Sequence, residues 1–530
     1  MKKIGIFLGF QPGVNLANEG IGRLLAFLLK ENSSRSFVLY SPSWLQESIT
    51  NLLADNNVPI ANIEIAYLKK YPIGVRIKQF ISDRKNKKKV KRERIIHERI
   101  KSFVLRIVSN LMTNYFSTSN FTFILIKSIV YLIIAVILIP FFAIFIVLYL
   151  AFLLIEKTSR LLFRGIEWTN KRNRFLTKIK KVIAIGVSGL YQKVLDSELQ
   201  RLIRLINKRN EIDVCFIPSM VWPQIKNLKC KKVLASPDIV FYDFPTQFHG
   251  VSDIHKRIRK SISAADSIIC YSEYVKQHHL INICGVEEEK ITVIKHANVD
   301  MSEHIKVSKS IDKYLSPVLN AKEIVKTYNN LHFYPGDVLY KTDISRFDYL
   351  VYSSQFRPHK NIFNLIKAIK IINVDMQKNV KLVLTGNITY VDYIQKYIQE
   401  NHLENDIFVF YDLPSEVLAS INALAKCSVN PTLFEGGFPF TFSEAYSVGT
   451  PSIMSDIPVV RAEIPNRDLS EKMLFNPFSP HSIADKIVWG IENRDALYIE
   501  QAILYKKFSQ RTWKQVVLEY NNVFSKTISG

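Results

Sequence analysis

Cysteine is scarce in this chain and scattered. Cys215, Cys230, Cys270, Cys284 and Cys427 form no CxxC and stand in no Cys/His cluster. That excludes a disulfide framework and a cysteine-built zinc site, and it fits a reducing cytosol. No GxGxxG fingerprint is present, no internal repeat, and no low-complexity tract beyond the basic run at 84–94. A secretory leader is not expected either. The opening MKKIGIFLGFQPG has an apolar run only as long as a strand, and it ends in Gln-Pro-Gly. It reads as the first β-strand of a Rossmann-like domain.

Charge is unevenly present. The 530 residues carry a net charge of +24, and a chain of this length holds two or three domains. Residues 69–106 contain 15 Lys or Arg against three Asp or Glu, and residues 156–181 contain nine against two. With Lys127, the segment 69–181 carries 20 of the 24 net charges, which leaves the rest of the chain nearly neutral. Between the basic runs lie residues 128–155, 28 residues without a charge and with Pro140 near the middle. That pattern argues against a nucleic-acid surface and for a membrane.

As one helix the apolar run would reach about 42 Å, against a hydrocarbon core about 30 Å thick. It is long for one span and short for two, and proline breaks or kinks a helix. Strand-like segments of one Rossmann half stand on both sides of it, at 1–70 and 182–300, so the chain must return to the side it entered from. Both flanks are basic, which places them in the cytosol. The expectation is a shallow hairpin turning near Pro140, with its flanks on an anionic membrane surface. Two spans, the second drawn from 103–126, are the alternative, made poor by Arg106, Asn110 and Asn114. A wholly buried core helix is a further alternative, disfavoured by the length and the basic flanks.

The densest chemistry lies at 430–456, NPTLFEGGFPFTFSEAYSVGTPSIMSD. It reads as strand, loop, helix, turn and strand. In an open α/β sheet, ligands bind at the carboxyl ends of strands. Gly436 and Gly437 can bring backbone N–H groups to an anion. Glu435 and Glu444 can face a ligand from either end, as a sugar nucleotide requires, with hydroxyls at both ends and a diphosphate between. The plainer reading makes Glu435 a helix cap and Glu444 a solvated helix residue. Upstream, YSSQFRPHKN at 352–361 places Arg357 and Lys360 after an apolar strand, at a helix start where positive charge is unfavourable unless it has work to do.

The 430–456 stretch resembles the paired-glutamate signature of family 4 (group 1) glycosyltransferases, with eight rather than seven residues between the glutamates. The turn, not the helix, is expected to absorb the extra residue. The resemblance implies a GT-B fold: α/β, two Rossmann-like domains facing across a cleft. To this the sequence adds a membrane-associated helical insertion in the N-terminal domain. The resemblance also implies that Arg357 and Lys360 bind the donor diphosphate. Glu435 and the backbone of Gly436, Gly437 and Phe438 would position the donor sugar, and Glu444 would hold the ribose hydroxyls.

The glycine-rich loop at 9–23 would border the acceptor side through Gly20 and Gly22, and is equally read as a turn with tight helix packing. At 234–248, LASPDIVFYDFPTQF matches the family's Phe-Pro, but Pro237 and Asp238 stand in its His-Asp place. Asp238, Asp243 and His249 are the candidates to supply the missing histidine's role, and Asp238 is grouped with Glu435 as catalytic. The plainer reading, which the residue types favour, makes each a loop-structuring residue, the two aspartates by Asx-type hydrogen bonds. The Thr-Trp of 508–526 matches the family's C-terminal helix, which usually crosses back to the N-terminal domain.

The expected organisation is therefore an N-terminal domain from 1–70 and 182–305, the membrane-associated insertion at 71–181, an interdomain segment at 306–345, a nucleotide-sugar domain at 346–500 and a crossing helix at 501–530. The expected activity is retaining sugar transfer from a nucleotide sugar, GDP-mannose or a UDP-sugar, to a lipid-linked glycan acceptor in envelope polysaccharide synthesis. Its place would be the cytoplasmic face of the inner membrane. No DxD-like metal site stands out, and no cofactor or metal is expected. Two other readings fit the same residues: a sugar-nucleotide 2-epimerase on this fold, and a non-catalytic membrane scaffold.

Overall fold

The computed structural model describes residues 3–68 and 191–530, apart from 33–34, 238, 249, 308–314, 334–336, 341, 389–390 and 465, with isolated positions between 72 and 129. The chain divides into two compact units, Met1–Lys70 with Leu199–Gly530, and Tyr71–Glu198. Among the described residues no helix is long and apolar enough to cross a membrane. The hairpin expected within 71–181 falls outside the described residues.

The first unit contains two parallel sheets. One has seven strands: β1 (Lys3–Phe7), β2 (Phe37–Ser41), β3 (Ile63–Tyr67), β4 (Ile212–Ile217), β5 (Lys231–Ser236), β6 (Ser267–Cys270) and β7 (Ile291–Val293), in the order β3-β2-β1-β4-β5-β6-β7. The other has six: β8 (Asp348–Tyr352), β9 (Val380–Leu384), β10 (Ile407–Val409), β11 (Cys427–Asn430), β12 (Ser452–Ser455) and β13 (Leu474–Phe475), in the order β10-β9-β8-β11-β12-β13. Helices cover both faces of a parallel sheet, so its strands are apolar throughout rather than alternating. Accordingly all five residues of β2 and all four of β11 are buried.

Each sheet reverses its strand order once, between β1 and β4 in the first and between β8 and β11 in the second. A crevice opens at such a switch point, beyond the carboxyl ends of the strands. Phe10 follows β1, Pro218 and Ser219 follow β4, Ser353 and Ser354 follow β8, and Asn430 ends β11; all line one cavity. The two crevices thus share a single cleft.

Five helices matter for that cleft. They are α1 (Gly20–Lys30), α2 (Leu315–His332), α3 (Ser415–Leu424), α4 (Phe440–Tyr446) and α5 (Trp513–Ser529). The segment expected to lie between domains belongs largely to the second one. Val325 of α2, Leu339 and Ile344 share a core with Tyr349, Val351, Val417 and Ile421. The final helix α5 opens with a capping box between Thr512 and Gln515. It then lies on the first sheet, where Tyr520 and Phe524 meet Phe216 of β4 edge to face at 5.7 and 5.9 Å. Asn521 and Asn32 exchange side-chain hydrogen bonds of 3.0 and 3.2 Å.

Candidate active site

The cleft encloses about 1030 Å³. Arg357, Lys360, Glu435, Gly436, Gly437, Phe438 and Glu444 all line it, and so does Gly20 from the opposite domain.

Arg357 precedes and Lys360 ends a short helical turn, Pro358–Lys360, that follows β8. The turn is fixed by Asn361, whose φ of 56° lies in the left-handed region that asparagine tolerates. Asn361 Nδ2 donates to the Pro431 carbonyl at 3.0 Å and to the Pro477 carbonyl at 2.7 Å. This ties the basic turn to the end of β11. His359, between the two cations, is 4% exposed. Its burial, with Lys360 and Arg357 beside it, lowers its pKa to about 3, so the ring is neutral.

The glutamate loop leaves β11 and enters α4 through Pro439. Glu444 lies inside α4 and Glu435 lies before it, in the turn. Lys360 Nζ donates to Glu435 Oε1 at 2.5 Å. Gly437 lets the loop approach the N-terminal domain closely, because an added Cβ would meet Tyr271 Cβ at 3.0 Å. Next to it, Ser272 Oγ donates to the Gly436 carbonyl at 2.9 Å. Among the described residues no acceptor pairs with the backbone N–H groups of Gly436, Gly437 or Phe438. Phe438 anchors the loop on Phe508, ring centroids 4.7 Å apart. Glu444 is 2% exposed and forms an ion pair with Arg23 of α1. Burial lowers the Arg23 guanidinium to about 10.

The structure also locates residues that sequence reasoning had not singled out. Glu19, the residue before α1, accepts from Arg357 Nη2 at 2.5 Å and from Gln355 Nε2 at 3.2 Å. His296 lines the cleft with its ring stacked on Phe440, centroids 5.0 Å apart, and burial lowers its pKa to about 3. The helical signal at 19–23, a carboxylate four residues before a cation, was present in the sequence without a partner to give it meaning.

Other expected residues are placed differently. Gly22 does not line the cleft. It is buried against the turn before α1, where an added Cβ would stand 1.8 Å from the Leu16 carbonyl oxygen. Asp243 does not line it either; its Oδ2 lies 3.0 Å from His279 Nε2, and His279 is fully buried. Asp243, His278 and His279 gather their donor atoms within 4.8 Å of one another. Asp238 and His249 fall outside the described residues.

Residues 342–512 match the family model described as glycosyl transferases group 1. The chain carries a group 1 glycosyltransferase domain. Over 188 residues, 35% of this chain, it is 22% identical to O-antigen chain mannosyltransferase B of Escherichia coli. That match covers 48% of the relative, about half its length. Among solved structures, Anabaena HepE in complex with UDP and glucose matches 99% of this chain and 100% of its own, with a TM-score of 0.56 and 12% identity. A glycosyltransferase from Rickettsia africae matches 99% of this chain and 98% of its own, with a TM-score of 0.51 and 11% identity. At these identities the likeness is one of fold, and the fold is GT-B. The glycosyltransferase domain supplies Arg357, Lys360, Glu435 and Glu444, and the facing domain supplies Glu19 and Arg23.

Proposed function

We propose that this protein transfers a sugar from a nucleotide sugar to an acceptor hydroxyl, with retention of anomeric configuration. The observation that carries this reading is the meeting of Arg357, Lys360, Glu435 and Glu444 in one cleft at two facing switch points. Arg357 and Lys360 take the charge that develops on the leaving diphosphate, the work that preorganised cations do best in a cleft shielded from water. We assign that charge to these side chains rather than to a bound metal ion. Backbone N–H groups at 436–438 and the Glu435 carboxylate orient the donor sugar, and Glu444 accepts from the ribose hydroxyls. Asp238 remains our candidate on the acceptor side.

A UDP- or GDP-linked hexose is the proposed donor class. HepE is solved with UDP and glucose, and the Escherichia coli relative is a mannosyltransferase. The proposed acceptor is a lipid-linked glycan of envelope polysaccharide synthesis. Support comes from the uncharged run at 128–155 between two strongly basic flanks, which would hold the cleft at an anionic cytoplasmic membrane face and raise the effective concentration of such an acceptor.

The test is a donor screen on membranes containing the protein, supplied with lipid extract and radiolabelled nucleotide sugars. Label entering the organic phase from one donor is the expected result. Binding of a donor with no lipid-phase product would remove the lipid acceptor from the proposal. No binding and no transfer with any donor would remove the activity itself.

A further inference from the structure

Among the described residues two ion pairs cross the cleft, and both arise from one helix start. Arg357 Nη2 reaches Glu19 Oε2 at 2.5 Å, and Arg23 pairs with Glu444. Glu19 and Arg23 belong to the N-terminal domain; Arg357 and Glu444 belong to the glycosyltransferase domain. The Glu19 and Glu444 side chains are 19% and 2% exposed, so neither is a solvated surface charge.

The pairs copy the chemistry assigned above to the donor, and the present inference rests on that assignment. A carboxylate occupies Arg357, where a phosphate oxygen is to bind. Guanidinium N–H donors occupy Glu444, where ribose O–H donors are to bind. A nucleoside diphosphate must therefore displace both Glu19 and Arg23. Glu19 is the N-cap of α1 and Arg23 lies in its first turn, four residues on, the order and spacing at which opposite charges can pair where a helix begins. The backbone between them is already helical, since Arg23 N donates to the Glu19 carbonyl at 3.2 Å.

We propose that Glu19 and Arg23 are specificity residues that select a joined diphosphate and ribose by exchanging partners. When such a ligand takes Arg357 and Glu444, the released Glu19 and Arg23 pair with each other on α1. Glu19, Arg23 and Arg357 then each have a counter-charge before and after binding, and Glu444 exchanges its cation for ribose hydroxyl donors. A ligand with only one of the two groups breaks this balance. Inorganic pyrophosphate alone frees Glu19 while Arg23 still sits on Glu444, and a nucleoside alone frees Arg23 while Glu19 still sits on Arg357. One stranded, partly buried charge opposes binding in each case.

The consequence is a positive coupling between two half-ligands in the unmodified protein. Calorimetric titration of the full chain with UDP, GDP and ADP first identifies the base that binds. The matching nucleoside is then titrated with and without saturating inorganic pyrophosphate. The expected result is that pyrophosphate tightens nucleoside binding about threefold, the scale of one partly exposed ion pair. In Glu19→Gln that coupling disappears, and the nucleoside diphosphate itself binds tighter than to wild type because its competitor at Arg357 is gone. Equal nucleoside affinity with and without pyrophosphate in the wild type overturns the exchange, whether or not the variant folds. Coupling that persists in a folded Glu19→Gln also overturns it. A wild type that binds none of the three diphosphates overturns the nucleotide-sugar reading as well, so the two failures are told apart.

Discussion

Replacing Gly22 with alanine tests whether α1 is positioned by packing or by ligand. The added Cβ would stand 1.8 Å from the Leu16 carbonyl oxygen and 2.7 Å from its carbonyl carbon. Ordinary contact begins near 3.4 Å, so helix and turn must separate by about 1.6 Å. The obstacle is backbone, and it is held. Leu16 is fully buried, its N–H donates to Ser48 Oγ at 2.7 Å, and its carbonyl accepts from Glu19 N at 3.1 Å. Overpacking of this kind costs about 1–3 kcal/mol. A loss of about 2 kcal/mol lowers the melting temperature of a 150–250-residue domain by about 4–8 °C. Because Glu19 and Arg23 flank Gly22, the shift also draws both cleft-facing charges away from Arg357 and Glu444, so the nucleoside diphosphate should bind tighter while stability falls. Gly20→Ala is the control. Its Cβ meets nothing within 4 Å, and alanine is the better helix former by up to about 1 kcal/mol, so the melting temperature should hold or rise slightly. Circular-dichroism melts and calorimetric titration of the two variants decide the matter. A Gly22→Ala protein that melts with the wild type, or equal losses from both substitutions, would refute the packing argument.

Lys360→Ala should weaken nucleoside diphosphate binding about 10–100-fold, the worth of a charged hydrogen bond. It should leave binding of the bare nucleoside nearly unchanged, and equal losses for both ligands in a titration would contradict the diphosphate role. Glu435→Ala should abolish sugar transfer with an unaltered circular-dichroism spectrum; normal turnover would take Glu435 out of the site. His359 predicts an acid sensitivity. Its folded pKa is near 3 against a reference value of 6.5, so its contribution is complete above pH 6.5 and drains away as the pH falls towards 3. By pH 5 the loss is about 2 kcal/mol, and His359→Gln should flatten that limb in urea unfolding at pH 7 and pH 5. Deleting 120–160 should release the protein from sedimenting membranes, and a variant that still sediments would place the anchor elsewhere.

Many strands of both sheets were legible because buried parallel strands read as apolar runs between turn residues. VKLVL at 380–384 and SIMS at 452–455 show this directly. The order of the strands was not legible in the same way, since β1 pairs with β4 across more than 200 residues of sequence. Within the cleft, Arg357, Lys360, Glu435 and Glu444 could be read because two short loops carry them. Glu19 could not, because its partner Arg357 is 338 residues away. Gly20 and Gly22 look alike in sequence, yet one faces open space and the other a carbonyl oxygen. Asp243 similarly looks like a free loop carboxylate until the fold brings His279 to it.

The position of α5 bears on how the protein is made. Tyr520 and Phe524 are fully buried, and both lie on Phe216 of the first sheet. During synthesis that apolar face is laid down roughly 300 residues before its cover exists. The N-terminal domain therefore leaves the ribosome unfinished and needs shelter until α5 arrives. Splitting the chain between the two sheets would leave a first half prone to aggregate, and supplying 509–530 in trans is the natural way to rescue it.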